Sequence, residues 1–192
     1  MKLIAFALMA PLVALMGAIA HADDYRVGER LQPAPGKTQA GYTVTKWETL
    51  VPSDWHPEKL FEGINLSMLN DGDPKATQAL DRLRKEWENA PANAALNGAR
   101  IRIAGFLVPL ERRRTDITEF LLVPYFGACI HTPPPPSNQI IHVFAVKPVK
   151  DGPDTAAVWV SGVLETTRSE TGLGAAGYQM RGEIITPYRE RR

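Results

Sequence analysis

Residues 126–143, FGACIHTPPPPSNQIIHV, hold the only cysteine of a 192-residue chain, two of its four histidines and a run of four prolines. Thiolate sulfur and imidazole nitrogen are both good ligands for zinc or copper. An imidazolium beside a thiol also lowers its pKa and makes it nucleophilic. On an extended backbone the Cys129-x-His131 spacing projects both side chains the same way, which makes them the first candidate pair. His142 is the third metal candidate. It shares parity with Ile140, Phe144 and Val146 in the strand pattern that follows, and the loop tethers it close to Cys129. Glu119, at the start of the preceding strand pattern, is an available carboxylate, whereas His56 is too far away in sequence to place.

Each candidate has a plainer reading. Free cysteine often packs as a small hydrophobe, and Ala128 and Ile130 flank Cys129. A histidine in a strand is often satisfied within a core. Pro133, Pro134, Pro135 and Pro136 favour polyproline II, which loses little entropy on ordering and holds a neighbouring turn rigid. With Tyr125 and Phe126 ahead of it, this segment is either a stiff spacer or a docking surface for a partner. The chain has no Gly-rich phosphate loop, no Ser–His–Asp pattern and no C-x-x-C pair, which argues against nucleotide hydrolysis and dithiol exchange.

The N-terminus sets the chemical environment of the lone thiol. MKLIAFALMAPLVALMGAIAHA has one lysine, an apolar run and Ala20-His21-Ala22, the pattern of a secretory signal peptide over residues 1–22. The run is interrupted by Pro11 and is short for a bilayer, so no stable membrane span is expected after cleavage. The expected location is the periplasm or the exterior, where cysteines usually pair. A single one has no partner within its own chain. Without Lys2 the basic side chains fall from 22 to 21, matching the 21 acidic ones. That balance supplies no field for nucleic acid or an anionic membrane.

The elements that must position these residues follow from periodicity. Residues 23–41 have few apolar side chains and read as a flexible leader. An N-terminal arm and helix span 42–95. TVTKWETLVP is a short strand or extended arm anchored by Trp47, and SDWHPEKLF offers Ser53 or Asp54 as the cap of a helical turn. Asp73-Pro74 opens a helix whose Ala76, Leu80, Leu83 and Trp87 form one face, ending near Asn89.

From residue 96 to 192 the period changes to two. LNGARIRIAGFLVPLE, TEFLLVPYF, QIIHVFAV, AAVWVSGVLETT and AGYQMRGEIITPY read as five strands. Gly105 and Gly162 interrupt two of them and suggest a bulge or bend. The first two both reach Leu-Val-Pro, where proline removes a ladder donor and the strand should stop. ERRRTDI reads as a hairpin loop and SETGLGA as a helical turn. The expected fold is mostly β with one N-terminal helix, a small five-stranded Greek-key barrel of the OB type, with a sandwich or an α+β roll as alternatives.

GFLVPLE, TEFLLVPYFGACIHTPPPPSNQII, VSGVLET and GYQMRGEIITPY, together with WETLVPSDW, resemble the bacterial domain-of-unknown-function family 3299 across about residues 45–188. The resemblance implies a small exported protein, some relatives of which are encoded beside ABC-type transporter components and zinc-supply proteins. It places the family's cysteine, histidine and prolines on Cys129, His131 and Pro133–Pro136. Thr132 and Ser137 depart from the family pattern without removing a ligand. Two functional classes are therefore expected. One is a non-enzymatic periplasmic accessory or binding protein that holds zinc or copper, or docks on a transporter subunit or another periplasmic protein. The other is a thiol-dependent enzyme with Cys129 as nucleophile and a histidine base. A purely structural docking module is the third possibility.

Overall fold

The computed structural model describes residues 25–33, 40–61, 74–152 and 155–189. The signal-peptide pattern and the Asp73 cap therefore lie outside the described residues. Among the described residues, no helix is long and apolar enough to cross a membrane.

All five expected strands form, and they close on themselves. They are β2 (Arg100–Arg113), β3 (Asp116–Val123), β4 (Ile141–Lys150), β5 (Ala157–Glu165) and β8 (Tyr178–Pro187). β1 (Thr43–Val44) adds in parallel to the edge of β2. The order β2-β3-β4-β8-β5, with β5 pairing back to β2, makes a closed barrel. Only β4 and β8 pair in parallel within it. Third and fifth strands side by side and parallel, with the fourth closing on the first, is the OB arrangement.

Alternation along the strands fills two clusters. Inward-facing Ile101, Ile103, Phe120, Leu122, Ile141, Val143, Val160 and Met180 form the barrel core, with Trp47 and Leu50 packed onto it. The opposite parity of β2 and β3 builds a second cluster from Phe106, Val108, Leu121 and Val123 with Tyr25, Ile140 and Tyr188. Tyr25 meets Phe106 edge to face at 5.0 Å, and Arg30 bridges to Tyr125. Part of the segment expected to be a leader, residues 25–33, thus lies against the barrel. Trp47 is anchored as expected: its Nε1 donates to the Ala104 carbonyl at 2.7 Å.

Several local expectations are corrected. Pro109 does not end its strand; β2 runs on to Arg113. β5 leaves β2 at Phe106, so by Pro109 only β3 is paired and the missing donor faces an unpaired side. Gly105 is not a bulge, because the register with β5 is unbroken across it. A Cβ there would lie 2.8 Å from Leu122 and 2.9 Å from Trp47, so the glycine is required by close approach. At Gly162 the register does shift against β8, and a Cβ would meet the Arg181 carbonyl oxygen at 2.2 Å. The hairpin loop shrinks to Arg114–Thr115, since the polar residues around it remain in the ladder.

SETGLGA is not a helical turn but a hairpin, β6 (Ser169–Thr171) with β7 (Gly174–Ala176), inserted between β5 and β8. The helix α1 (Pro74–Glu88) forms as expected. Its apolar face is incompletely covered: Ala79 is buried, while Leu80 is 54% exposed.

Candidate functional site

The loop that carries the cysteine is a turn, not an extended run. Gly127 sits at φ +81 and its carbonyl accepts the N–H groups of Ile130, His131 and Thr132 at 3.3, 2.8 and 3.1 Å. Cys129 itself adopts φ +65, a left-handed conformation uncommon outside glycine. The condition that would have aimed Cys129 and His131 the same way is therefore not met. Cys129 is half-buried against the second cluster, while His131 is exposed. Burial pushes the Cys129 thiol up to about 11, the opposite of an activated nucleophile.

The prolines are held from both ends. Tyr125 donates its hydroxyl to the Pro133 carbonyl at 3.1 Å, and Arg30 lies 5.7 Å over its ring. Burial raises the Tyr125 pKa. Phe126 is half-buried and packs 5.5 Å from Phe106 and 5.8 Å from Tyr25. Tyr125 and Phe126 thus serve the fold first. After the prolines, Ser137–Gln139 form a single 3-10 turn. Its side chains clamp the N-terminal arm: Ser137 Oγ donates to Ala90 O, Asn138 Nδ2 to Pro91 O, and Gln139 Nε2 to Trp47 O.

Pro133 and Pro134 remain exposed, whereas Pro135 is buried and Pro136 half-buried. Together with Leu80, Leu83 and Trp87 of α1, Pro133–Pro135 line a groove of about 550 Å³. The proline run and the apolar face of the helix are both visible in the sequence, but what that face packs against is not. No local signal distinguishes a helix stripe facing a core from one facing a groove.

His142 occupies a different place. Its inward neighbours Ile141 and Val143 fill the core, so the imidazole stands on the outer face, yet it is only 6% exposed. Nε2 meets Glu119 Oε1 at 2.7 Å, and Nδ1 meets Ser169 Oγ at 2.9 Å. A carboxylate only accepts, so Nε2 carries the proton, and in the neutral ring Nδ1 accepts from the Ser169 hydroxyl. The Phe144 ring stacks on the imidazole at 4.3 Å and is itself 42% exposed. Glu119 supplies the carboxylate that its position in the sequence offered. No local sequence signal points to Ser169, which arrives on the β6–β7 hairpin from 27 residues away. The two hydrogen bonds of the Ser169–His142–Glu119 chain fix the orientation of the ring.

Cys129, His131 and His142 are thus in three settings: packed, exposed and hydrogen-bonded. Among the described residues, no group of three or more His, Cys, Asp or Glu side chains converges so as to hold a metal ion.

The family model described as protein of unknown function (DUF3299) matches residues 47–187. A crystal structure of a DUF3299 family protein from Pseudomonas aeruginosa PAO1 is 34% identical, with a TM-score of 0.61, covering 79% of this chain and 99% of that one. No curated protein matches the chain.

Proposed function

Since the chain belongs to the DUF3299 family, which carries no activity to inherit, we propose that it is an exported, non-enzymatic accessory protein that docks a partner on its tetraproline face. The observation that carries this reading is the open groove between α1 and Pro133–Pro135. Proline-rich backbone has no internal hydrogen bonds to satisfy, and its stiffness lowers the entropic cost of docking. The Tyr125 and Ser137–Gln139 bonds hold that segment against the barrel, so its shape is ready before a partner arrives. Leu80 is a large apolar side chain exposed at the rim, as recognition surfaces often have.

The periplasm is the proposed location, from the signal-peptide pattern. An ABC-type transporter subunit is the proposed partner class, from the family resemblance. The thiol-enzyme alternative has less support, because a nucleophile near 11 is almost wholly protonated at neutral pH. Binding of zinc or copper through Cys129, His131 and His142 would need those three settings to rearrange.

A photo-crosslinking residue at Leu80 tests the reading in cells, with the same residue at Ile184 as the control on an exposed apolar position of β8. A discrete envelope adduct from Leu80 and not from Ile184 is expected. Leu83→Asp should abolish that adduct while the protein remains folded and exported. Absence of an adduct from Leu80, or the same adduct from both positions, would end the proposal.

A further inference from the structure

A second cleft, of about 470 Å³, lies between the barrel wall and the β6–β7 hairpin. Its floor is the outer face of β3 and β4 at Glu119 and His142, and its apolar walls are Pro109 and Leu110 on one side and Leu173 on the other. In OB barrels, the face of the second and third strands and the connection between the fourth and fifth are the ligand-contacting parts. Here β3, β4 and the β6–β7 hairpin stand in those places. The cleft shares only Glu170 with the tetraproline groove, so it is independent of the docking reading.

The chemistry of the floor is specific. Glu119 Oε1 is taken by His142, while Oε2 has no partner among the described residues. The Glu119 side chain is 32% exposed, so that oxygen can be reached from the cleft. Arg168, which directly precedes the hairpin, is already paired with Glu170 and with the Glu88 carbonyl. Ser169 and His142 fix the carboxylate from behind, which removes much of the cost of ordering it. The result is a pre-oriented carboxylate oxygen set between apolar walls, with the partly exposed Phe144 as its cross-strand neighbour.

We propose that this cleft binds an organic cation on an aliphatic stem, of the primary ammonium class. The nitrogen donates to Glu119 Oε2, and the stem lies between Leu110 and Leu173. A lysine side chain of a partner peptide and a free alkyl amine share this chemistry.

Titration of the isotopically labelled protein with 1,5-diaminopentane and with Nα-acetyl-lysine N-methylamide, followed by NMR, tests it. Saturable shifts at Leu110, Phe144 and Leu173 are expected, with 1-pentanol, which lacks the charge, producing none. Glu119→Gln keeps an oxygen for the His142 N–H but removes the charge, and should weaken binding about ten-fold or more. Tighter binding of the lysine derivative identifies a peptide source, and tighter binding of the diamine a free amine; either supports the site. Leu173→Ala provides a second variant that leaves the Glu119–His142 pair intact and should also weaken binding. No saturable shift with either probe, or undiminished affinity in a folded Glu119→Gln protein, overturns the proposal.

Discussion

Alkylation of Cys129 discriminates the two classes of function directly. The thiol is half-buried against the second cluster, and burial moves its pKa from 9.0 to about 11. Only the thiolate reacts, and a thiol far below its pKa holds a thiolate fraction that falls ten-fold each time the pKa rises by one. At pH 8 the thiolate fraction should therefore be about 100-fold smaller than in an unstructured thiol. The assay is the rate of iodoacetamide modification against pH, in the native protein and in guanidinium, with Cys129→Ser as the blank. The native midpoint should approach 11, and unfolding should restore the ordinary rate. A native midpoint at or below that of the unfolded chain would refute the burial argument and revive the thiol enzyme. The raised pKa also couples folding to pH. Between pH 9 and 11 the folded state binds more protons at Cys129 than the unfolded state. This contribution is fully present below about pH 9 and is lost as pH rises through the folded value.

Three other outcomes are expected. Tyr178→Phe removes a hydroxyl that donates to Leu50 O at 2.6 Å and accepts from Asn93 N at 2.6 Å, so urea unfolding should show a loss of about 1–3 kcal/mol; less than about 0.5 kcal/mol would mean that water replaces both bonds. Gly162→Ala drives a Cβ to within 2.2 Å of the Arg181 carbonyl and should cost about 3 kcal/mol, the upper end of ordinary overpacking, whereas Gly152→Ala, with open space around it, should stay within about 0.5 kcal/mol in the same thermal melt. Zinc or copper titrated into apo protein should give equal affinities for wild type and Cys129→Ser, because the sulfur is packed and protonated; a weaker Cys129→Ser would restore the sulfur as a ligand.

The barrel was legible because it rests on a short-range signal. A pleated strand with one face against a core must alternate, so Ile101-Ile103 and Ile141-Val143 declare their strands without reference to anything distant. The α1 boundaries were equally local, set by Pro74 and by spacings of three and four. What failed was also local reasoning, applied where a partner decides. Pro109 looked like a strand end, but a strand with one unpaired side tolerates a missing donor. SETGLGA looked helical by composition, but β6 and β7 pair with each other. The C-x-H direction depended on backbone conformation, and the capture of the Gly127 carbonyl by three following amides bent it.

By itself, then, the sequence determined the five strands, the helix, the lone thiol, the stiff proline segment and the family. Only the tertiary structure decided what those parts face. It put His142 on the outside of the barrel under a hairpin, joined it to Glu119 and to a distant Ser169, half-buried Cys129 against the second cluster, and opened Pro133–Pro135 toward α1. The physical reason is range. Alternation and propensity act between residues a few positions apart, whereas a site is made by side chains that barrel closure brings together from strands far apart along the chain.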